Sequence, residues 1–152
     1  MDALTSEFLM EMRLKVGQAA SAGATGQGER RFVVVDGGRF EGPRLSGDIL
    51  GGGSDAILVE PGGRTRLDVR LMLRTDDGAA IYTHYRGIRT GPPAVLAQLA
   101  AGEAVDPSDY YFRTAVMFET GDARYEWLND LIAVGVGDRP PSGPIYRVFA
   151  IR

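Results

Sequence analysis

The segment 66–89 restricts the fold of this chain more than any other, because it has the pattern of a β-hairpin. It reads RLDVRLMLRTDDGAAIYTHYRGIR, with an apolar residue at every second position from Leu67 to Leu73. Alternation with period two is typical of a strand that has two chemically different faces. Residues 75–78 (TDDG) then predict a tight turn, since glycine readily adopts the positive φ that short hairpin loops need.

Similar short runs recur along the chain, separated by glycine-rich turns. The 152 residues include 21 glycines, which is about twice the usual share of ~7%. About nine or ten segments have strand patterns, and residues 91–102 have the one convincing helix pattern, with proline at the start and glycine at the end. We therefore predict an all-β chain, a single antiparallel barrel domain over residues 1–152, in which the Gly-rich segment 18–30 is a mobile loop.

Composition excludes several classes of function. A net charge of −3 with dispersed arginines argues against a nucleic-acid partner, because such proteins usually carry a basic patch. One histidine and no cysteine leave no multi-histidine or zinc–cysteine centre, so we expect neither a metal nor another cofactor. No run of apolar residues is long enough to span a membrane, and acids interrupt the N-terminal region, so we expect no signal peptide and a cytoplasmic location.

The hairpin also carries the residues best suited to proton transfer and ligand binding. Asp68 and Arg70 are two positions apart, so they share one strand face, and Tyr82 and His84 follow on the return strand. If this face points into an enclosed cavity, Asp68 and His84 are candidates for proton transfer. If it points outward, it is a hydrated surface that contributes little. We expect the inward arrangement.

Further candidates lie on later segments. Arg113 and Glu119 share one face of a predicted strand, and a desolvated Glu119 would have a raised pKa suited to proton transfer. Trp127 could stack on a ligand or simply pack in the core. Asn129 could orient a ligand carbonyl or bind the backbone of its own turn.

An ordered set of short blocks resembles a known family. The blocks are residues 37–47 (GGRFEGPRLSG), 52–55 (GGSD), 67–70 (LDVR), 75–79 (TDDGA), 111–113 (YFR), 118–120 (FET) and 125–129 (YEWLN). Together they resemble the family catalogued as domain of unknown function 3237, an uncharacterised bacterial family. The resemblance implies a calycin-like antiparallel β-barrel, implies no settled reaction, and adds Asp55 to the residues expected to bind a ligand. Ala56 departs from the family, which often has an aromatic residue there.

These observations support an enzyme hypothesis first. A barrel mouth would bind a small, partly apolar organic acid or lactone, and Asp68, His84 or Glu119 would move a proton without a cofactor. Arg70 or Arg113 would hold a carboxylate or enolate oxygen. Isomerisation, cyclisation, hydration and lactone hydrolysis all fit these groups. The full set of expected ligand-binding residues is Arg70, Tyr82, Arg113, Trp127, Asn129 and Asp55.

Two other hypotheses remain open. The barrel could carry or sense a hydrophobic small molecule without breaking a bond, in which case the same residues would fix the ligand's orientation. Alternatively, the polar interior could be packed shut and the chain could have a structural role. Self-association into a homo-oligomer fits all three hypotheses, and no sequence feature decides it.

Overall fold

A computed structural model describes residues 2–152, and ten antiparallel strands form one continuous sheet. The strands are β1 (Ser6–Val16), β2 (Ala20–Thr25), β3 (Gly28–Glu41), β4 (Ser46–Ile49), β5 (Gly53–Val59), β6 (Thr65–Thr75), β7 (Ala80–Thr90), β8 (Tyr111–Glu119), β9 (Ala133–Asp138) and β10 (Ile145–Ile151). The turn between β6 and β7 contains Gly78 at φ +95°, as the hairpin pattern predicts.

The sheet closes into a barrel because β1 pairs with β10 on one side and with β3 on the other. β4 and β5 follow one another in the space between β3 and β6, and each pairs with both. The closed ring therefore has eight strand positions, while β2 adds a further strand beside β3. The predicted all-β antiparallel barrel with a single short helix is confirmed.

Hydrophobic burial decides which side of each strand faces the barrel interior. In β6, the alternating leucine and valine side chains from Leu67 to Leu73 are buried, and the polar residues between them lie on the outer wall. Burying such side chains removes a large apolar area from water, so this face of β6 is more favourable inside the barrel than the charged face would be. The largest interior side chains come from four different strands: Phe40, Tyr85, Phe112 and Tyr146.

The two ends of the barrel differ. A 3₁₀ helix, Ala123–Asp130, joins β8 to β9 at one end and inserts Leu128 into the core, where it is fully buried. The helix α1 (Pro93–Ala100) joins β7 to β8 at the other end, and none of its residues is fully buried. No helix in residues 2–152 has the length and hydropathy needed to cross a membrane.

Two details of the predicted elements are wrong. Segment 18–30 is not a loop, because β2 and the start of β3 form a hairpin there, although every β2 side chain is exposed. The glycine pair at 37–38 also does not separate two strands, because β3 runs unbroken from Gly28 to Glu41. Gly37 and Gly38, at φ +150° and +152°, occupy a conformation that favours glycine and allow β3 to continue as its partner changes from β5 to β4.

Candidate active site

A cavity of about 460 Å³ occupies the barrel interior at the α1 end. Its wall comes from the inward faces of β1, β3, β5, β6, β7, β8 and β10. Its rim comes from the end of α1 with the residues just after it, and from the β9–β10 loop, which contains Arg139 and Pro140. Cavities of this size and mixed lining suit a small organic ligand.

Asp55 places a carboxyl group in the wall of this cavity. It lies on β5, opposite Val33 of β3 and Val69 of β6, and only 9% of it is exposed. Its Oδ1 accepts a hydrogen bond of 3.2 Å from the backbone amide of Asp68. Burial raises the pKa of Asp55 to about 7, against the usual 3.8, and the Asp68 hydrogen bond and the charge of Arg89 only partly offset that rise. Asp55 can therefore both donate and accept a proton near neutral pH.

Arg89 supplies a positive charge to the same cavity. It follows Tyr85 on the inward face of β7, and its guanidinium carbon lies 5.6 Å from the centroid of the Phe112 ring. Burial lowers the pKa of this guanidinium below its ordinary value, yet an arginine remains protonated at neutral pH. Among residues 2–152, Arg89 has no ion-pair partner, so its donors are available to a bound oxyanion.

An aromatic cluster forms the cavity floor. Tyr146 packs edge-on against Tyr85, with centroids 5.0 Å apart, and against Phe112, with centroids 5.5 Å apart. Burial raises the pKa of both tyrosines, so they stay protonated at neutral pH. The Tyr85 hydroxyl is buried and has no hydrogen-bond partner among residues 2–152. Such an unsatisfied donor is costly in a folded chain, and it belongs to a side chain that lines the cavity.

The predicted hairpin residues do come together, but on the outer wall. His84 Nε2 lies 2.9 Å from Asp68 Oδ1, and Arg70 donates a hydrogen bond of 2.9 Å to the Tyr82 hydroxyl. The predicted inward orientation of these four residues is wrong, because the leucine and valine side chains of β6 take the interior face. The hydrogen bond from His84 is the main reason that the pKa of Asp68 is lowered, which leaves Asp68 a weak base.

The other predicted residues also lie away from the cavity. Arg113 and Glu119 are on the outer face of β8, and Glu119 is exposed. Trp127 and Asn129 lie in the 3₁₀ helix at the opposite end of the barrel. Trp127 packs against Arg44, whose guanidinium carbon lies 3.6 Å from the centroid of the indole ring. Asn129 binds the backbone of Thr120 through two hydrogen bonds. None of these four residues lines the cavity, and Asp55 is the predicted residue that does.

Sequence reasoning missed Arg89, Tyr85, Tyr146 and Arg139. The positions of Arg89 and Tyr85 in the sequence could have indicated an inward orientation, since both lie on the same strand face as Ile81 in the second strand of the hairpin. Placing the leucines of β6 inside would have placed that face of β7 inside as well. Tyr146 and Arg139 carry no such local signal, because the closure of the barrel brings them to the cavity. Among residues 2–152, no group of three or more His, Asp or Glu side chains is arranged to hold a metal ion.

Comparison with known proteins places this geometry in a family context. The model of the family described as Protein of unknown function (DUF3237) matches residues 4–151. UPF0311 protein RPA1785 of Rhodopseudomonas palustris is 38% identical over 136 residues, which cover 90% of this chain and 89% of that protein. Its crystal structure matches with a TM-score of 0.95 at 34% identity, over 100% of both chains. A β-barrel-like protein from Acinetobacter baumannii matches with a TM-score of 0.87 at 37% identity, over 100% of this chain and 98% of that chain.

A more distant relative comes from a fungus. A Penicillium herquei protein named hydroalkoxylation enzyme phnH is 28% identical over 138 residues, which cover 90% of this chain and 74% of that protein. The crystal structure of an enzyme from Penicillium herquei matches with a TM-score of 0.76 at 22% identity, over 100% of this chain and 97% of that chain. At this identity the structural match shows a shared fold.

Proposed function

Because this chain belongs to the family Protein of unknown function (DUF3237), whose name assigns no reaction, we propose a function from its cavity. The chain is a cofactor-independent enzyme that moves a proton on a small, partly apolar organic molecule held inside the barrel. Asp55 is the acid and base, Arg89 holds a developing oxyanion, and the Tyr85 hydroxyl donates a second hydrogen bond. The predicted cytoplasmic location and the predicted self-association remain predictions.

The observation that carries the proposal is the pairing of Asp55 with Arg89 in one cavity. A carboxyl with a pKa of about 7 is present in both protonation states at neutral pH, which is where general acid–base catalysis is most effective. A buried guanidinium without an ion pair stabilises negative charge more strongly than a hydrated one does, since the surrounding dielectric constant is lower. Together they can stabilise an enolate while its proton is held nearby.

The name of the fungal relative favours one reaction class among those that fit. Hydroalkoxylation adds the O–H of an alcohol across a carbon–carbon double bond, so it is a redox-neutral cyclisation when both groups belong to one molecule. In this cavity, the Asp55 carboxylate would take the hydroxyl proton while the oxygen bonds to the β-carbon of an unsaturated ketone. Arg89 and Tyr85 would hold the resulting enolate oxygen, and Asp55 would return the proton to the α-carbon.

Conversion of 2′-hydroxychalcone to flavanone tests the proposal, since it is this same bond change and is followed by absorbance. We expect the wild-type chain to accelerate the reaction and Asp55→Asn to lower kcat at least ~100-fold. Asp48→Asn is the matched control, because Asp48 is a surface residue whose carboxyl pairs with Arg39. An Asp55→Asn variant that keeps the wild-type rate contradicts the proposal.

Binding without conversion would support the hypothesis of a carrier. Equilibrium dialysis with flavanone separates the two readings, because a carrier retains the ligand and an enzyme also interconverts it. We expect Arg89→Gln to weaken binding in either case. Binding that is independent of both Arg89 and Asp55 would place the ligand outside this cavity.

A further inference from the structure

We propose that the outer wall of the barrel holds a second ligand site, separate from the cavity, that binds an organic anion with an apolar body. The site is a groove of about 750 Å³ across β5 to β9 and the start of β3. We call it the arginine groove, and its lining includes Arg30, Arg66, Arg86 and Arg113, with Leu58, Ile88 and Val134 among its apolar residues.

Strand register gives the groove a regular chemical pattern. One row of directly paired neighbours crosses the wall and alternates arginine with an aliphatic residue: Arg30, Leu58, Arg66, Ile88, Arg113 and Val136. Neighbouring strands are about 4.8 Å apart, so successive arginines of the row are about 10 Å apart. An aliphatic side chain lies between each arginine of the row and the next. A ligand lying along this row would therefore meet charge and apolar surface in alternation.

Two of the four arginines have guanidinium N–H groups that do not bind a carboxylate. Arg30 donates to the Ala56 carbonyl at 3.3 Å, and Arg113 donates to the Phe112 carbonyl at 3.0 Å while it packs over the Tyr111 ring. Neither has an ion-pair partner among residues 2–152. Because each is anchored by a backbone contact, less side-chain entropy is lost when it binds an anion.

The remaining charges leave the groove positive. Arg66 is neutralised by Glu60 at 2.6 Å, and Arg86 lies 3.8 Å from Asp68. Asp68 is the one acidic residue of the lining, against four arginines, although the whole chain has a net charge of −3. Complementarity therefore favours an anion, and the aliphatic intervals favour an apolar body over a hydrated ion such as inorganic phosphate.

The arginine groove and the cavity lie on opposite faces of the same wall. Leu67 contributes to both linings, but the arginines of the groove point outward, while Asp55 and Arg89 line the interior. Ligand binding in the groove can therefore be separated from binding in the cavity by mutation. The two proposals do not depend on each other.

Isothermal titration with 2-naphthoate tests the groove directly. We expect the double variant Arg30→Gln/Arg113→Gln to bind 2-naphthoate at least ~10-fold more weakly than the wild-type chain. The double variant Arg74→Gln/Arg147→Gln is the control, since it makes the same change in net charge at exposed positions outside the groove. Neutral 2-naphthamide should bind at least ~10-fold more weakly than the anion.

Three results would overturn the inference. Equal losses in both double variants would show only a long-range effect of net charge. A loss caused by Arg89→Gln and not by the groove variant would place the anion in the cavity alone. Sedimentation that shows a wild-type dimer, weakened by the groove substitutions and unaffected by 2-naphthoate, would show that a second copy of the chain covers the groove.

Discussion

At the scale of single residues, two aspartates show how position decides chemistry. Asp55 and Asp68 are linked by one hydrogen bond through the barrel wall, yet the pKa of Asp55 is raised by burial and that of Asp68 is lowered by His84. Desolvation favours the neutral carboxyl, and a hydrogen bond to the charged form favours the anion. The proposed acid and base is therefore the buried member of the pair.

The raised pKa of Asp55 has a consequence for stability. Its folded-state pKa of about 7 lies above the unfolded value of 3.8, so the folded chain binds the proton more tightly and loses stability as the pH rises between these values. The difference corresponds to ~4 kcal/mol. Urea unfolding gives the free energy of unfolding of wild type and of Asp55→Asn at each pH. We expect the wild-type value minus the Asp55→Asn value to fall by an amount of this order from pH 4 to pH 7. A constant difference would contradict the raised pKa.

Substitution of Tyr85 should lower activity without lowering the stability of the fold. Tyr85→Phe removes a buried hydroxyl without a partner, so we expect the free energy of unfolding to stay constant or rise by up to ~1–2 kcal/mol. The rate of flavanone formation should fall by ~100-fold, as for the loss of an oxyanion donor. Tyr82→Phe is the control, because that hydroxyl binds Arg70 on the outer wall. A clearly destabilised Tyr85→Phe variant would show that the hydroxyl is already satisfied.

The sequence pattern identified the two-faced strand β6 correctly, but the prediction placed the wrong face of it in the interior. Polar residues of functional type on one face suggested a lined cavity, whereas the apolar residues on the other face took the core. Asp55 was found through the family resemblance alone. Its short strand carries no alternation that marks a buried carboxyl, and its raised pKa depends on neighbours from β3 and β6.

At the scale of secondary-structure elements, β9 shows how small residues make room for the aromatic floor. A Cβ atom at Gly137 would lie 2.5 Å from the Phe112 ring, and Phe112 supports Tyr146. Glycine at this position therefore lets β9 pass close to the ring. The strand contributes little side-chain volume of its own to the cavity.

Gly137→Ala tests this packing. We expect the added methyl group to displace the Phe112 ring and to lower the free energy of unfolding by ~1–3 kcal/mol. Gly121→Ala is the control, since nothing lies within 4 Å of its added Cβ, and it should change the free energy of unfolding by less than ~0.5 kcal/mol. Equal effects in urea titrations would show that the close approach of β9 has no energetic role.

Most elements could be predicted from sequence because strand periodicity and turn residues act locally. Strands β6, β7 and β8 and the helix α1 lie where their patterns place them. The unbroken strand β3 could not be predicted, because it pairs with β1 and β5, which are distant in sequence. The hairpin of β2 is local, but its residues ASAGAT include no large apolar side chain and are all exposed, so no hydrophobic pattern marks the strand. The 3₁₀ helix has no clear local pattern either, since Leu128 is fixed by the core rather than by local periodicity.

At the scale of the whole molecule, closure of the sheet creates three distinct surfaces. The end with the 3₁₀ helix is packed, the α1 end opens into the cavity, and the outer wall carries the arginine groove. Residues from β5, β7 and β10 meet in the cavity only because the ring is closed. The proposed chemistry is thus a property of the barrel and of no single motif.

A carbon-13 NMR titration of the side-chain carboxyls, with Asp55→Asn used to assign the signal, tests whether the barrel interior holds a titratable proton near neutral pH. The chain has 20 aspartate and glutamate residues, and we predict that the Asp55 signal titrates with a midpoint near 7. Flavanone in the cavity should shift that midpoint. A midpoint near 4, unmoved by flavanone, would contradict a barrel interior that holds a proton for catalysis.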